Sequence, residues 1–359
     1  MKYSVVIPTL NPDNKMTDFV DKLIEAGFED IILVNDGSSA ETVHFFDEAD
    51  KNPQVTVLVH EVNKGKGAGL KTAFRYIAEN RPDIDAAITA DADGQHNIES
   101  IRNCVSAYEE KPGSVIFGGR DFSDKNIPAR SRFGNKISSV VYSFSCGIKL
   151  KDTQTGLRII PRDYLQKFSE LKGDRYEYET NMIIAVREMN IPYKEVSIAT
   201  IYINENESSH FNAVKDSARI YAIVLRYFLK FMASSLICWL VDIAVYSLFV
   251  VLLEHSVSDE TMELIAGAVS RIISSVLNYI INRKLVFKAT ENVGRTAVRY
   301  YILAVCQMIV SILLVNVLAD RLLNVSGLWH TLIKCIVDGC LFIFSFGIQR
   351  KWVFKDKKV

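Results

Sequence analysis

The feature that most constrains this chain is a change in composition close to residue 230. Charged residues are scattered through the first part, whereas the rest is a series of apolar segments separated by short polar loops. A helix of roughly 20 apolar residues crosses a bilayer, because it satisfies its own backbone hydrogen bonds within the lipid. The pattern predicts an all-α domain at 231–359 with four transmembrane helices, at about 231–253, 262–281, 300–318 and 328–348.

Basic residues favour one side of this predicted membrane domain. Lys and Arg gather before the first span, between the second and third spans, and after the fourth, whereas the other two loops contain one Arg and no Lys. By the positive-inside rule, both termini and the N-terminal domain lie in the cytoplasm. We therefore expect a multi-pass protein of the plasma (inner) membrane.

Residues 211–230, just before the first predicted span, place apolar and basic side chains on opposite faces of a helix. Such an amphipathic helix is suited to lying in the membrane interface. A helix packed against the N-terminal domain fits the same pattern equally well.

The membrane half is internally repeated. NRKLVFK and QRKWVFK each follow a pair of apolar segments, and their phenylalanines, Phe287 and Phe354, are 67 residues apart. This spacing indicates a duplicated two-helix unit. Charges within the spans normally pair or line a polar path, so two interpretations stay open: ion pairing between helices or between subunits of a homo-oligomer, and a polar site for a lipid head group. The charged residues concerned are Asp242, Arg271, Lys334 and Asp338.

Residues 1–210 follow a different pattern, in which apolar runs of strand length alternate with helical patterns. The runs are YSVVIPT, DIILVND, VTVLVHE, DAAITAD, SVIFGGR and YKEVSIATIYI. This alternation predicts an α/β domain with a mostly parallel, Rossmann-like sheet covered on both faces. Polar clusters follow the first, second and fourth strands, at residues 9–13, 35–39 and 91–96. Because ligands bind at the carboxyl ends of such strands, one crevice is expected to collect all three clusters.

Composition excludes several other classes of protein. The chain has 42 basic and 42 acidic residues and no Lys/Arg-rich tract, which argues against a nucleic-acid partner. Its six cysteines form no C-x-x-C pair, so neither a disulfide framework nor a zinc site is indicated. The first residues, MKYSVVIPTL, have the pattern of a strand and not of a signal peptide.

Two aspartates spaced one residue apart, Asp91 and Asp93, stand where the fourth strand opens into a loop. Two neighbouring carboxylates repel each other unless a cation lies between them. Magnesium and manganese prefer oxygen ligands and often bind through one or two carboxylates together with substrate phosphates. A solvated acidic turn ending at Gly94 is the alternative.

The stretch NKGKGAGLKTAF, residues 63–74, leads glycines and lysines into a helix. Free backbone N–H groups and the helix dipole favour an anion there, which suits a diphosphate. The stretch is neither a Walker A loop nor G-x-G-x-x-G, so an ATPase or a Rossmann dehydrogenase is disfavoured. An ordinary loop and helix cap is the alternative.

These four motifs, SVVIPTLN, VNDGSS, NKGKGAGLKTAF and DADGQH, in this order, resemble the family 2 glycosyltransferases of the GT-A fold, in particular the polyprenyl-phosphate (dolichyl-phosphate) sugar synthases. The four-span half resembles the GtrA-like membrane domain found with such enzymes. The resemblance implies an inverting, metal-dependent transfer of a sugar from a nucleotide sugar, such as UDP-glucose or GDP-mannose, to polyprenyl phosphate at the cytoplasmic membrane face. The product would serve cell-envelope or protein glycosylation.

Two other functions remain open. One is a family 2 glycosyltransferase that uses a saccharide or another lipid as acceptor. The other is a translocase of lipid-linked sugars whose soluble domain binds nucleotide sugar.

The resemblance also assigns roles to individual residues. The residues that it assigns to nucleotide-sugar binding are Pro8, Thr9, Asn11, Asp36, Gly37, Lys66 and Asp91. For Pro8 and Gly37, a role in shaping a turn is the alternative. The expected ligands of Mg²⁺ or Mn²⁺ are Asp91, Asp93 and Gln95. The residues that it assigns to binding of the acceptor phosphate are Arg120, Arg130, Arg132, Thr155 and His210. Arginine suits this role because it pairs with phosphate bidentately. The expected catalytic set is Asp91, Asp93, Arg120 and Arg132.

One stretch departs from the family pattern. Many of these synthases carry R-x-x-G-x-S-K before the membrane segment, whereas this chain has NENESSHFNAVKDSARIY, which lacks that arginine, glycine and lysine. Either Ser208, Ser209 and His210 replace the missing groups, or a group elsewhere in the chain does. For His210, a structural or solvent-facing position is the alternative.

Overall fold

The computed structural model of the chain describes residues 1–94, 96–120, 129–199, 215–254, 256–289, 291–323, 325 and 327–354. The chain divides into two compact units, Met1–Val224 and Leu225–Val359. The first is an α/β unit and the second is helical. The predicted fold class is therefore confirmed.

A seven-stranded sheet forms the centre of the first unit. Its strands are β1 (Tyr3–Thr9), β2 (Asp30–Asp36), β3 (Val55–His60), β4 (Ala86–Thr89), β5 (Val115–Arg120), β6 (Arg158–Pro161) and β7 (Tyr193–Ile198). Their order is β3-β2-β1-β4-β6-β5-β7. Only β6 pairs antiparallel with its neighbours in this part of the chain, so the mostly parallel sheet is confirmed.

Seven helices of the described chain accompany this sheet: α1 (Asn14–Glu25), α2 (Val43–Ala49), α3 (Lys66–Asn80), α4 (Ile98–Glu110), α5 (Ala129–Ser145), α6 (Arg162–Ser169) and α7 (Glu177–Glu188). Asp13 caps α1 by accepting the N–H of Lys15, and Asn97 caps α4 by accepting that of Ser100. Met16 and Leu23 of α1 pack in the same core as the buried strands β1 and β2. Each such side chain contributes about 1.5–3 kcal/mol by leaving water.

The second unit contains α8 from Leu225 onward, together with α9, α10 and α11. The helices are α8 (Lys215–Leu253), α9 (Asp259–Ile281), α10 (Val293–Val315) and α11 (Leu328–Ile348). Four helices of the described chain are long and apolar enough to cross a membrane, in agreement with the four spans predicted from the sequence. The α8 helix includes residues 215–230 without a break, because neither Gly nor Pro interrupts the sequence there. The expected interfacial helix is thus continuous with the first span.

The two halves of the membrane repeat end alike. After α9 comes a π-helical turn, Asn282–Val286, and after α11 another, Gln349–Val353. Asn282 Nδ2 donates to Gln349 Oε1 at 3.4 Å, although these residues are 67 positions apart. The rings of Phe287 and Phe354, also 67 apart, stack at 5.1 Å. Equivalent residues of the two halves therefore contact each other, which supports the duplicated-unit interpretation.

The charged residues within the spans form pairs. Arg271 Nη1 lies 3.7 Å from Asp242 Oδ2, and the Ser274 hydroxyl donates to Asp242 Oδ1 at 2.9 Å. Lys334 Nζ lies 3.0 Å from Asp338 Oδ2. A cavity of about 440 Å³ adjoins this second pair and also exposes Gln307, Ser311, Ser345 and Gln349. Ion pairing within one chain is thus present beside a cavity with both polar and apolar lining residues.

Candidate active site

A pocket of about 440 Å³ lies at the carboxyl ends of β1, β2 and β4. The three polar clusters after those strands meet there, as expected for a parallel sheet. The N-terminal turn of α3 and the segment before α7 complete its walls. Seven of the residues assigned from the sequence line it: Pro8, Thr9, Asn11, Asp36, Lys66, Asp91 and Asp93.

Lys66 is the electrostatic centre of this pocket. Its ammonium lies 2.6 Å from Asp91 Oδ1 and 3.3 Å from Glu179 Oε1, and the three side chains are only 20%, 29% and 13% exposed. Burial alone would lower the pKa of Lys66, but the two carboxylates raise it above its ordinary value. Burial alone would raise the pKa of Asp91, but Lys66 holds it at about 2. Both groups are therefore charged at neutral pH.

Two further contacts position Asp91. A Cβ on Gly156 would lie 2.5 Å from Asp91 Oδ2, so glycine at 156 is what allows the carboxylate to lie against that loop. The Asp91 N–H donates to His96 Nδ1 at 3.1 Å. Burial lowers the pKa of His96, so its ring is neutral near pH 7 and carries its proton on Nε2.

The pocket offers hard oxygen donors for a divalent cation. The carboxylates of Asp91 and Asp93 both line it, and Gly94 turns the chain with φ +76° directly after them. No group of three or more His, Cys, Asp or Glu side chains in the described residues could hold a metal ion. Two carboxylates fit magnesium or manganese, because these ions complete their coordination with phosphate and water oxygens. Gln95, the third expected ligand, lies outside the described residues.

Asp36 holds together the loop that leads into α3. Its carboxylate accepts hydrogen bonds from Lys64 N at 2.9 Å and Gly65 N at 2.7 Å. His60 Nδ1 donates to Asp36 Oδ1 at 2.7 Å, which leaves Nε2 to accept from the Thr72 hydroxyl at 2.9 Å. Sequence reasoning did not identify His60, because its link to Asp36 depends on the pairing of β2 with β3.

Asn11 and Gly37 shape the neighbouring loops. Asn11 adopts φ +48°, and its side-chain oxygen accepts the Ser39 N–H at 2.8 Å, joining the loops after β1 and β2. Gly37 adopts φ +72°, and a Cβ there would lie 2.8 Å from Val62 Cα. Gly37 thus serves the turn and is not among the residues lining the pocket.

Of the expected acceptor residues, the three whose side chains the structure describes, Arg120, Arg132 and Thr155, are not among the residues lining this pocket. Arg120, at the end of β5, pairs with the fully buried Asp152 through Nε at 2.7 Å and Nη2 at 3.3 Å. The Thr155 hydroxyl is buried and accepts the N–H of Leu157 at 3.2 Å. Arg132 lies half-buried in the first turn of α5. His210 and the side chain of Arg130 lie outside what the structure describes.

Sequence reasoning missed several pocket residues. Arg175 stands in a loop between helices, outside the four motifs. Asn63 is the first residue of the Gly/Lys-rich stretch, but its side chain carries no anion-binding signal of its own. Asp13 and Lys15 also line the pocket and pair at 3.5 Å. Their cluster after β1 was identified, but helix capping was the only signal at Asp13.

Comparisons with known proteins agree with this architecture. The family model described as Glycosyl transferase family 2 matches residues 4–169, and that described as GtrA/DPMS, transmembrane domain, matches residues 230–354. With its four apolar helices, the second match indicates a membrane protein.

Among curated relatives, an uncharacterized protein of Methanocaldococcus jannaschii is 29% identical over 62% of this chain and 90% of its own length. The UDP-N-acetylglucosamine–dolichyl-phosphate N-acetylglucosaminyltransferase of Methanococcus voltae is 30% identical over 55% of this chain and 85% of that enzyme. The dolichyl-phosphate beta-glucosyltransferase of Dictyostelium discoideum is 24% identical over 60% of this chain and 73% of that enzyme. The chain belongs to glycosyltransferase family 2, is related to dolichyl-phosphate sugar transferases, and continues into a GtrA/DPMS transmembrane domain.

Proposed function

We propose that this protein transfers a sugar from a nucleotide sugar to polyprenyl phosphate, with inversion at the anomeric carbon and with a divalent metal ion, at the cytoplasmic face of the membrane. One observation carries the proposal. Asp91 and Asp93 line the same pocket as Lys66, which starts α3, so groups for a metal ion and for a diphosphate converge at one sheet edge. A nucleotide sugar has the matching chemistry, because it presents a nucleoside and a diphosphate together.

The acceptor class rests on the membrane domain and on the relatives. The Methanococcus voltae and Dictyostelium discoideum enzymes are named for transfer to dolichyl phosphate. A lipid acceptor suits a chain that also carries four apolar helices. Arg120, Arg130, Arg132, Thr155 and His210 remain the proposed acceptor side of the site, with Arg120 held in place by Asp152.

The chemistry needs little acid–base assistance. An acceptor phosphate is already anionic near neutral pH, so one of its oxygens attacks the anomeric carbon directly. A carbon–oxygen bond forms there while the bond to the nucleoside diphosphate breaks on the opposite side, which inverts the configuration. Lys66 and the loop held by Asp36 orient the donor for this in-line displacement. Asp91 and Asp93 would hold a magnesium or manganese ion, which would neutralise the charge that develops on the leaving diphosphate.

A transfer assay tests the function directly. Purified full-length protein is incubated with radiolabelled UDP- and GDP-sugars, polyprenyl phosphate, and either Mg²⁺ or Mn²⁺. We expect one donor to label the lipid, EDTA to abolish the labelling, and Asp93→Asn to lower it at least about 100-fold. Appreciable turnover in Asp93→Asn would remove the metal role. Donor binding without lipid labelling by any sugar would overturn the acceptor class in favour of a saccharide acceptor or a translocase.

A further inference from the structure

The segment before α7 is fastened to the first turns of α3. The Asp174 carbonyl accepts the Ala68 N–H at 2.9 Å, and the Asp174 carboxylate pairs with Lys71. Glu177 Oε1 accepts the N–H groups of Asp174 at 3.2 Å and of Arg175 at 3.4 Å. The backbone at Arg175 is therefore held beside the pocket.

Two glycines allow the Arg175 side chain to lie close to the pocket wall. A Cβ on Gly65 would be 2.7 Å from Arg175 Cγ, and a Cβ on Gly67 would be 2.8 Å from the Arg175 carbonyl oxygen. Any larger residue at either position would push this segment away from α3. The Gly/Lys-rich stretch thus contributes Lys66 to the pocket and, through its two glycines, leaves space for Arg175 beside it.

Arg175 differs from the other basic residues of the pocket in its ion pairing. Lys66 is shared between Asp91 and Glu179, and Lys15 lies 3.5 Å from Asp13. Arg175 lines the same pocket, and its guanidinium has no hydrogen-bond or ion-pair partner among the described residues. It is therefore positioned to engage an anion without first breaking an internal pair.

We propose that Arg175 is a donor-binding residue whose guanidinium binds the diphosphate of the nucleotide sugar. This inference rests on the proposed function for the class of donor. A planar guanidinium binds two phosphate oxygens at once, which suits a diphosphate better than a lone ammonium does.

Nucleotide binding without acceptor tests the inference. Isothermal titration of the full-length protein in detergent with Mg²⁺ compares UDP and GDP with UMP and GMP. For the diphosphate that binds wild type, we expect Arg175→Gln to weaken affinity about 10- to 100-fold, and Arg175→Lys to restore part of the loss. Binding of the matching monophosphate should change less than about threefold if Arg175 contacts the second phosphate.

Arg75→Gln is the matched control. Arg75 is exposed on the same helix α3, does not line the pocket, and has no hydrogen-bond or ion-pair partner within the described chain. Both nucleotides should bind this variant as they bind wild type. Circular dichroism and thermal unfolding establish that the Arg175 variants are folded.

The outcomes separate the two proposals. Unchanged diphosphate affinity in a folded Arg175→Gln variant overturns the role of Arg175 and leaves the proposed function standing. Equal losses for mono- and diphosphate also overturn it, because the contact would then lie at the nucleoside or first phosphate. If wild type binds neither diphosphate, the nucleotide-sugar function fails, and the inference with it.

Discussion

The ammonium of Lys66 lies 2.6 Å from Asp91 Oδ1 and forms an ion pair with that carboxylate. The contact joins the first turn of α3 to the loop after β4. Lys66 therefore neutralises one of the two metal-binding candidates while it lines the candidate active-site pocket. The charge of Asp91 is thus balanced by a side chain of the same chain.

Replacing Lys66 by Met should remove that balance. We expect kcat/KM to fall about 100-fold, because Asp91 loses its partner and the diphosphate loses a cation. Although burial alone would raise the pKa of Asp91 in the folded protein, Lys66 holds it at about 2, below its ordinary value of 3.8. The pair therefore stabilises the fold above about pH 4, and this contribution is lost as the pH falls toward 2.

Thermal unfolding between pH 5 and pH 2.5 measures this effect. The unfolding temperature of Lys66→Met should depend less on pH in that window than that of wild type, because the variant has no pair to lose. Parallel curves for the two proteins would contradict the assignment.

Gly156→Ala should displace Asp91 without unfolding the domain. The added methyl group would lie 2.5 Å from Asp91 Oδ2, so the carboxylate must move. A shift of about 1 Å in a catalytic group costs about 100-fold in rate, which steady-state kinetics would detect. Gly134→Ala in α5 is the control, because a Cβ there meets nothing within 4 Å. Equal activity of the two variants would show that Asp91 tolerates displacement.

His60→Phe should weaken donor binding by loosening the loop that Asp36 holds. Loss of the His60–Asp36 hydrogen bond leaves a buried carboxylate with one donor fewer, at a cost of about 1–3 kcal/mol. The KM for the donor should rise while kcat changes little. His60→Gln, which keeps an N–H donor, should recover part of the affinity. A change in kcat alone would contradict this role.

Asp242 and Arg271 should be energetically coupled. Their side chains lie 3.7 Å apart on α8 and α9. The double variant Asp242→Asn/Arg271→Gln should lose less stability than the sum of the two single losses, by about 0.6–1.7 kcal/mol. Unfolding of detergent-solubilised protein measures all four forms, and additive losses would argue against a pair.

The sequence predicted helices and strands best where the hydrophobic periodicity extended over many residues. The α4 helix, Ile98–Glu110, forms where a helical pattern separates two predicted strands, because Asn97 caps it and its apolar residues repeat at helical spacing. The α3 helix begins at Lys66, inside the stretch that was expected to lead into a helix, because Gly65 adopts φ +105° and ends the preceding loop there. Only four residues form β6, which is too short for a period-two pattern to show, and the segment is therefore not among the predicted strands.

Residues of the candidate site were predictable when a motif contained them. Asp91, Asp93 and Lys66 stand in such motifs and line one pocket. Arg175 and His60 could not be predicted, because each reaches the site through tertiary contacts. His60 meets Asp36 as its register partner across β2 and β3, and strand register is not visible in one sequence.

The contacts of Phe287 with Phe354 and of Asn282 with Gln349 have a consequence for mutagenesis of the membrane domain. Each contact joins two residues that are 67 positions apart, so the two helix pairs meet through the same position of each repeat. A substitution at either residue of such a contact therefore changes the environment of its counterpart in the other half of the repeat.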